Sequence, residues 1–396
     1  MTLTLLLDLD DTLLNTNIES FIPAYFQALA KALSPFVSPD LMLRSLMAGT
    51  KRMLENQDFS QTLEQVFSEV YYSQMNSTRE ALREALEHFY AHDFPQLREL
   101  TSQRSDAKPF VDWAISRGYR IAIATDPLFP SAATEHRLRW AGFDPAQFEL
   151  VSSFERFHFT KTSPAYYAEV LGHLGWPEGP VLMVGNDAER DILSAKKLGL
   201  ATYHVDAETA SSFGPDANAG GKLADLPAQL ESSDLSALTP SFKTRESILA
   251  VLSATPAALN SLSRELDSKS ISREPSADDW ALAEIFCHLR DTESEIHHMQ
   301  IRLFSSQSEP FIPRPDTSIW ARQRDYLHED GISALRKFNE NRRETISMLE
   351  KIPDEEWSNK ARHAIFGPTN FLEVIGFIAE HDRLHVQQAY NTMKKL

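Results

Sequence analysis

Three consecutive leucines, Leu5 to Leu7, are closed by Asp8, and Leu9 separates that residue from Asp10, Asp11 and Thr12. A short apolar run stopped by charge predicts a buried strand within residues 1–14, with carboxylates at its C-terminal end. Charges this close to a buried strand cost free energy unless a cation or hydrogen bonds offset them, so Asp8 and Asp10 are read as a working pair. Residues 19–91 then carry helical periodicity throughout. Ser38 before Pro39, Ser60 and Ser77 are the expected N-caps, and Ser77 with Glu80 has the spacing of a capping box. From Asp112 onward the period alternates. A helix through Ser116 stops at Gly118, and residues 119–125 form an apolar strand. A helix over 131–141 stops at Gly142, and another covers 164–174. Residues 181–184 read as a strand, 187–198 as a helix stopped at Gly199, and 201–205 as a further strand. Strands separated by helices predict a parallel α/β sheet with right-handed crossovers, interrupted once by the helical block.

Beyond residue 206 the composition turns to Ser, Ala, Asp, Gly and Pro. Its first half reads as the last loop and helix of a domain spanning 1–231, and residues 232–242 as a linker. Thereafter only helical periods recur, over about 243–268, 277–305, 329–351 and 370–395. That spacing predicts a four-helix bundle over 243–396, so the chain reads as an α/β domain followed by an all-α domain. It shows no internal repeat and no low-complexity tract.

At 396 residues the chain is too long for one ordinary core, which agrees with two domains. A formal charge of −17 gives no basic face for a nucleic-acid backbone and disfavours an anionic membrane surface. Cys287 is the single cysteine, so no intrachain disulfide forms. The N-terminus lacks a positive region ahead of its apolar run, and no apolar stretch is long enough to span a bilayer. The expected setting is cytoplasmic, with a small-molecule substrate and neither nucleic-acid nor membrane partners.

Three further stretches place polar groups at strand ends: Thr125-Asp126, Lys161 ahead of a helix, and Gly185-Asn186-Asp187 through Asp191. All would converge at the C-terminal edge of one sheet. One carboxylate can attack phosphorus and another can move a proton to and from oxygen. A hydroxyl and a lysine can hold phosphoryl oxygens, and a hard cation suits the oxygen-rich surroundings. On these residues the N-terminal part resembles the haloacid dehalogenase superfamily. The first motif matches Asp8-Leu-Asp10-Asp-Thr12, the second Thr125, the third Lys161, and the fourth Asp187 with Asp191.

The resemblance implies a Rossmann-like sheet with a C1-type helical cap over about 17–100. It implies Asp8 as nucleophile, Asp10 as acid and base, and Thr125 and Lys161 as phosphate-binding residues. Mg²⁺ would be held by Asp8, the Asp10 carbonyl and Asp187, with Asp191 supporting the metal site from its edge. An acid at Asp10 favours phosphate monoesters over haloacids. Cleavage of phosphonates wants an amine from the cap, where Lys51 is the only lysine in the middle of the segment. Three departures stand out: Asp126 where many relatives have Asn, Thr162-Ser163-Pro164 after Lys161, and a neutral Asn186 ahead of Asp187.

In the last helical segment His381 and His385 are spaced i, i+4, on one face with Phe371, Val374, Ile378 and Ala389. His288 falls on the stripe of Ile285, Thr292, Ile296, Met299 and Leu303, whereas His297 lies off it. Three imidazoles on converging stripes suit a divalent metal with an open fourth position. Cys287, about 100° round the helix from His288, reads as packing. The stretches Trp280 to Leu289, His363-Ala-Ile-Phe-Gly367-Pro-Thr and His381-Asp-Arg-Leu-His385-Val-Gln-Gln resemble the DinB-like bundles. That resemblance implies a metal triad of His288, His381 and His385, and Zn²⁺, Ni²⁺ or Fe²⁺ would suit it. It leaves open whether the bundle is a thiol S-transferase, the main catalyst, or a sensing or dimerising module beside a phosphohydrolase. A homodimer through the bundle is a further expectation.

Overall fold

A computed structural model describes residues 2–207, 211, 213, 219–276 and 279–396. The chain forms two compact units. The first is Met1–Tyr166 with Pro177–Pro240, and the second is Tyr167–Trp176 with Ser241–Leu396.

The first unit is built on six parallel strands: β1 (Thr4–Leu7), β2 (Arg120–Ile123), β3 (Leu150–Val151), β4 (Val181–Gly185), β5 (Ala201–Val205) and β6 (Ala219–Gly221). Their order is β3-β2-β1-β4-β5-β6. Leu7 pairs with Ile123 on one side and Val184 on the other. Every residue of β1 is buried, as expected of a strand in mid-sheet covered on both faces. The chain winds one way to β2 and β3 and the other way to β4 and beyond. The crevice outside β1 and β4 is therefore the topological switch point, where such sheets bind ligands.

Between β1 and β2 the chain leaves the sheet for the helices Ile18–Leu33, Pro39–Leu54, Leu63–Gln74 and Arg79–His88. A short antiparallel ribbon, Leu14–Thr16 against Thr101–Gln103, closes the base of this insert. Ser38 does sit at an N-cap, but its side chain makes no capping bond. The other two caps fall later than the sequence suggests. Ser60 is engaged with Asp58, and Thr62 with Gln65 forms the capping box. Asn76 turns left-handed, and Thr78 rather than Ser77 accepts from the Ala81 N–H. Phe21, Tyr25 and Phe89 of the insert pack edge to face on Phe94, and Trp140 meets Phe21 edge to face while stacking on Phe94.

The second unit contains the expected bundle. Its helices are Arg245–Ser263, a segment over 282–306, Gly331–Glu350 and Phe371–Lys395. The first packs on the fourth and third, and the second on the third and fourth. The second segment is not one α-helix. Leu282–Thr292 and His298–Ser306 are joined through a π turn, Glu293–His297. A small sheet of Phe311–Ile312, Lys360–His363 and Gly367–Asn370, absent from the periodicity reading, covers one end. The expected start of the second helix at residue 277, and part of the expected loop and helix after Asp206, lie outside the described residues. Among the described residues no helix is long and apolar enough to cross a membrane.

Candidate functional site

The last ladder bonds of β1 carry Asp8 to the sheet edge, its N–H donating to the Val184 carbonyl at 2.9 Å. Its carboxylate is buried. Thr12 Oγ1 donates to Asp8 Oδ2 at 3.0 Å, and Lys161 Nζ donates to Oδ1 at 2.5 Å. Lys161 also donates to Asp191 Oδ1 at 2.6 Å, so one ammonium bridges two carboxylates. Asp187 caps the turn after β4, with Oδ1 accepting from the Glu189 and Arg190 N–H groups. That turn, Ala188–Leu193, is π-helical, and it folds Asp191 back so that Oδ2 accepts from the Asp187 N–H at 3.0 Å. Gly185 is required here, because a Cβ would overlap the Asp191 carboxylate.

Asp10 follows the strand, held by a tight turn in which Asp11 adopts a left-handed conformation (φ 56°). Its Oδ1 accepts from Thr16 Oγ1 at 2.9 Å and its Oδ2 from Arg137 Nη1 at 2.6 Å. Thr125 is buried just beyond β2, its carbonyl accepting from Ser152 Oγ and the Tyr166 hydroxyl. Asp126 accepts from the Lys161 N–H at 3.1 Å. Lys51 is an exposed residue of the insert, 3.7 Å from Glu55.

This cluster holds more negative than positive charge. Burial, and then the neighbouring Asp191, push the Asp8 carboxyl up to about 7 against the pull of Lys161. Burial also raises Asp126. An oxygen-rich, anion-heavy cluster of this kind has the chemistry that suits a hard dication.

In the second unit His288, His381 and His385 bring their ring nitrogens within 4.8 Å of one another. His288 Nε2 lies 3.1 Å from His381 Nε2, and the Nδ1 atoms of both are buried without a hydrogen-bond partner among the described residues. Burial, followed by the neighbouring His385 and His297 rings, lowers His288 to about 3. Burial likewise holds His381 and His385 below the usual histidine range. Uncharged imidazoles at this spacing are the form and geometry that bind a transition ion. Trp280 stacks on His385. Cys287 is buried and its thiol is pushed up to about 12 by burial, outside the range of a ready ligand.

Beneath the triad lies a set of charges that the motifs do not announce. Arg342 is fully buried and donates to Glu293 at 2.7 and 2.8 Å and to Asp382. Burial alone would raise Glu293, but the Arg342 guanidinium pulls it well below the usual carboxylate range. Glu293 Oε2 also bonds His297 Nδ1 at 2.8 Å, and the His297 ring meets His381 edge on. His297 was expected off the inward stripe. The π turn adds a residue to the helical repeat, so His297 joins Ile296 inside, followed by His298, Gln300 and Ile301, while Met299 and Leu303 rotate part way out. A sequence signal for Arg342 did exist: it falls on the apolar stripe of Leu335, Phe338, Thr345 and Leu349. Arg137 is the counterpart in the first unit, on the buried face with Ala133, Thr134 and Leu138.

Residues 2–199, half of the chain, match the family of haloacid dehalogenase-like hydrolases, and residues 251–389 match the DinB superfamily. Among solved structures, the chain is similar to a 2-haloacid dehalogenase from Pseudomonas syringae pv. Tomato, with 20% identity, a TM-score of 0.43, and 58% of this chain and 99% of that one covered. A HAD phosphatase from Thermococcus onnurineus gives 18% identity, a TM-score of 0.38, and coverage of 59% and 100%. YfiT from Bacillus subtilis, a four-helix bundle, gives 16% identity, a TM-score of 0.35, and coverage of 39% and 89%. No curated protein matches the chain.

Proposed function

The chain belongs to the haloacid dehalogenase-like hydrolases, and from that premise we propose that it is a Mg²⁺-dependent phosphohydrolase acting on a small phosphate monoester. The observation that carries this reading is the buried Asp8 carboxylate at the end of the central strand, held by Thr12 and Lys161. A free oxygen lone pair of Asp8 attacks phosphorus, and the ester oxygen departs with a proton from Asp10. Water then attacks the aspartyl-phosphate, Asp10 takes back the proton, and inorganic phosphate leaves. Thr125 and Lys161 hold the phosphoryl oxygens. Mg²⁺ on Asp8, Asp187 and the Asp10 carbonyl would supply positive charge against the crowded carboxylates. Asp191 acts from outside that set, fixing Lys161 and the turn at Asp187. The helical insert excludes water and selects the leaving group. The test is hydrolysis of an aryl phosphate by the full chain: it should require Mg²⁺ and disappear in Asp8→Asn. Turnover that persists in that variant refutes the reading.

For the bundle we propose a divalent transition ion on His288, His381 and His385, supported by the close approach of three uncharged imidazoles. Elemental analysis should find about one equivalent of Zn²⁺, Ni²⁺ or Fe²⁺ in the purified protein, lost in His381→Ala. Thiol conjugation that survives Asp8→Asn and is lost in His381→Ala would make the bundle an enzyme in its own right.

A further inference from the structure

Arg137 is 2% exposed. Its Nη1 donates to Asp10, and its guanidinium lies 4.6 Å over the Phe129 ring. Nε and Nη2 are buried and have no hydrogen-bond partner among the described residues. These two N–H groups share one edge of the guanidinium, the edge that receives a carboxylate in parallel bonds. Elsewhere in the chain that same edge is used in this way. Arg120 places it on Glu149, Arg104 on Asp106 and Arg342 on Glu293. Burying two charged donors unpaired costs free energy, and holding Asp10 needs only Nη1. A lysine would hold Asp10 with fewer donors left over.

The position of Arg137 narrows what the edge is for. Phe129 belongs to the loop after β2, and its ring lies 5.4 Å from that of Tyr25 on the first helix of the insert. Arg137 thus sits where the insert meets the sheet, and opening of the insert would uncover it. Asp10 is the residue placed beside the leaving oxygen, so Arg137 borders the leaving group.

We infer that Arg137 anchors a carboxylate on the substrate, so that the ester taken by the site is a phosphorylated carboxylic acid; this rests on the phosphohydrolase reading above. The unpartnered edge lies across the guanidinium from Nη1. The carboxylate therefore stands several bonds beyond the ester oxygen. Docking it completes the pairing of Arg137 without displacing Asp10.

The experiment uses the Mg²⁺-loaded full chain and compounds that cannot turn over. Binding of phosphonoacetate, phosphonopropionate and phosphonobutyrate is measured by calorimetry against the alkylphosphonates that lack the carboxylate. At least one carboxylated member should bind about tenfold or more tightly than its partner. Arg137→Lys, which keeps the charge beside Asp10 but not the fork, should erase most of that preference. Equal binding of the two series to the natural protein overturns the inference, as does a preference unchanged in Arg137→Lys or no binding by any member. The comparison on the natural protein decides the matter even where the variant does not fold. Aryl phosphate hydrolysis in the same preparation reports separately on the underlying reading. Hydrolysis without carboxylate preference sinks only the anchor, whereas preference without hydrolysis sinks the phosphohydrolase and leaves the anchor standing.

Discussion

The first unit gathers Asp8, Asp126 and Asp191 on one buried lysine, whereas the bundle lays three uncharged imidazoles over a guanidinium already shared by two carboxylates. The first arrangement is electrostatically unfinished: burial and the neighbouring Asp191 push the Asp8 carboxyl up to about 7. The second is nearly balanced within the protein, and burial, followed by the neighbouring imidazoles, keeps His288 and His381 below the usual histidine range. The contrast teaches that buried ionisable groups can be arranged for an external cation in two ways. One stores repulsion that the cation relieves. The other presents lone pairs on a scaffold held rigid by its own ion pairs.

The comparison is broken most directly by Asp8→Asn. Aryl phosphate hydrolysis should fall by about three orders of magnitude or more, since the proposed nucleophile is lost. The metal content of the bundle should not change, and a parallel loss there would show that the two sites are not independent. Arg342→Met should come next. It leaves Glu293 and Asp382 buried without their partner, a loss of about 3–5 kcal/mol in chemical denaturation of the second unit. A change under about 1 kcal/mol would mean that the pair of carboxylates is not carried by this arginine.

A pH series sharpens the contrast. The Asp8 carboxyl lies higher in the folded protein than its ordinary 3.8, so the folded state holds this proton more tightly than the unfolded chain. Its favourable contribution is complete below about pH 4 and is lost as pH rises through about 7. In metal-free protein, Asp8→Asn should therefore gain thermal stability relative to the natural chain between pH 5 and pH 8, and Mg²⁺ should remove the gain. Parallel melting curves across that range would dismiss the stored repulsion. The smallest effect belongs to Cys287→Ala, which should cost about 1–2 kcal/mol for a lost buried sulfur and leave the bound metal unchanged. Loss of metal in that variant would make the thiol a ligand.

The first site was more legible than the second because its residues stand at strand ends, where an apolar run stops at a charge. Asp8, Thr125 and Asp187 each follow such a boundary, whereas Lys161 lies in a turn ahead of a helix. The bundle residues had to be read from phase, and phase fails at the Glu293–His297 turn, where one added residue turns His297 inward. The short strands Leu150–Val151 and Phe311–Ile312 left no period long enough to notice. Arg137 and Arg342 were visible only as charges on apolar stripes, a signal that does not say which partner waits on the other side.

By itself, then, the order of apolar runs, glycine stops and strand-end acids determined a parallel α/β sheet with a helical insert, a following bundle, and the residue types at both sites. Local periodicity suffices for that, because it encodes which face of each element must be buried. Tertiary structure alone decided that Lys161 bridges Asp8 to Asp191, that Arg137 holds Asp10, and that Arg342 ties Glu293 to Asp382. Each of these pairs joins elements that are remote along the chain and meet only when burial brings their faces together, where low polarity makes the choice of partner matter.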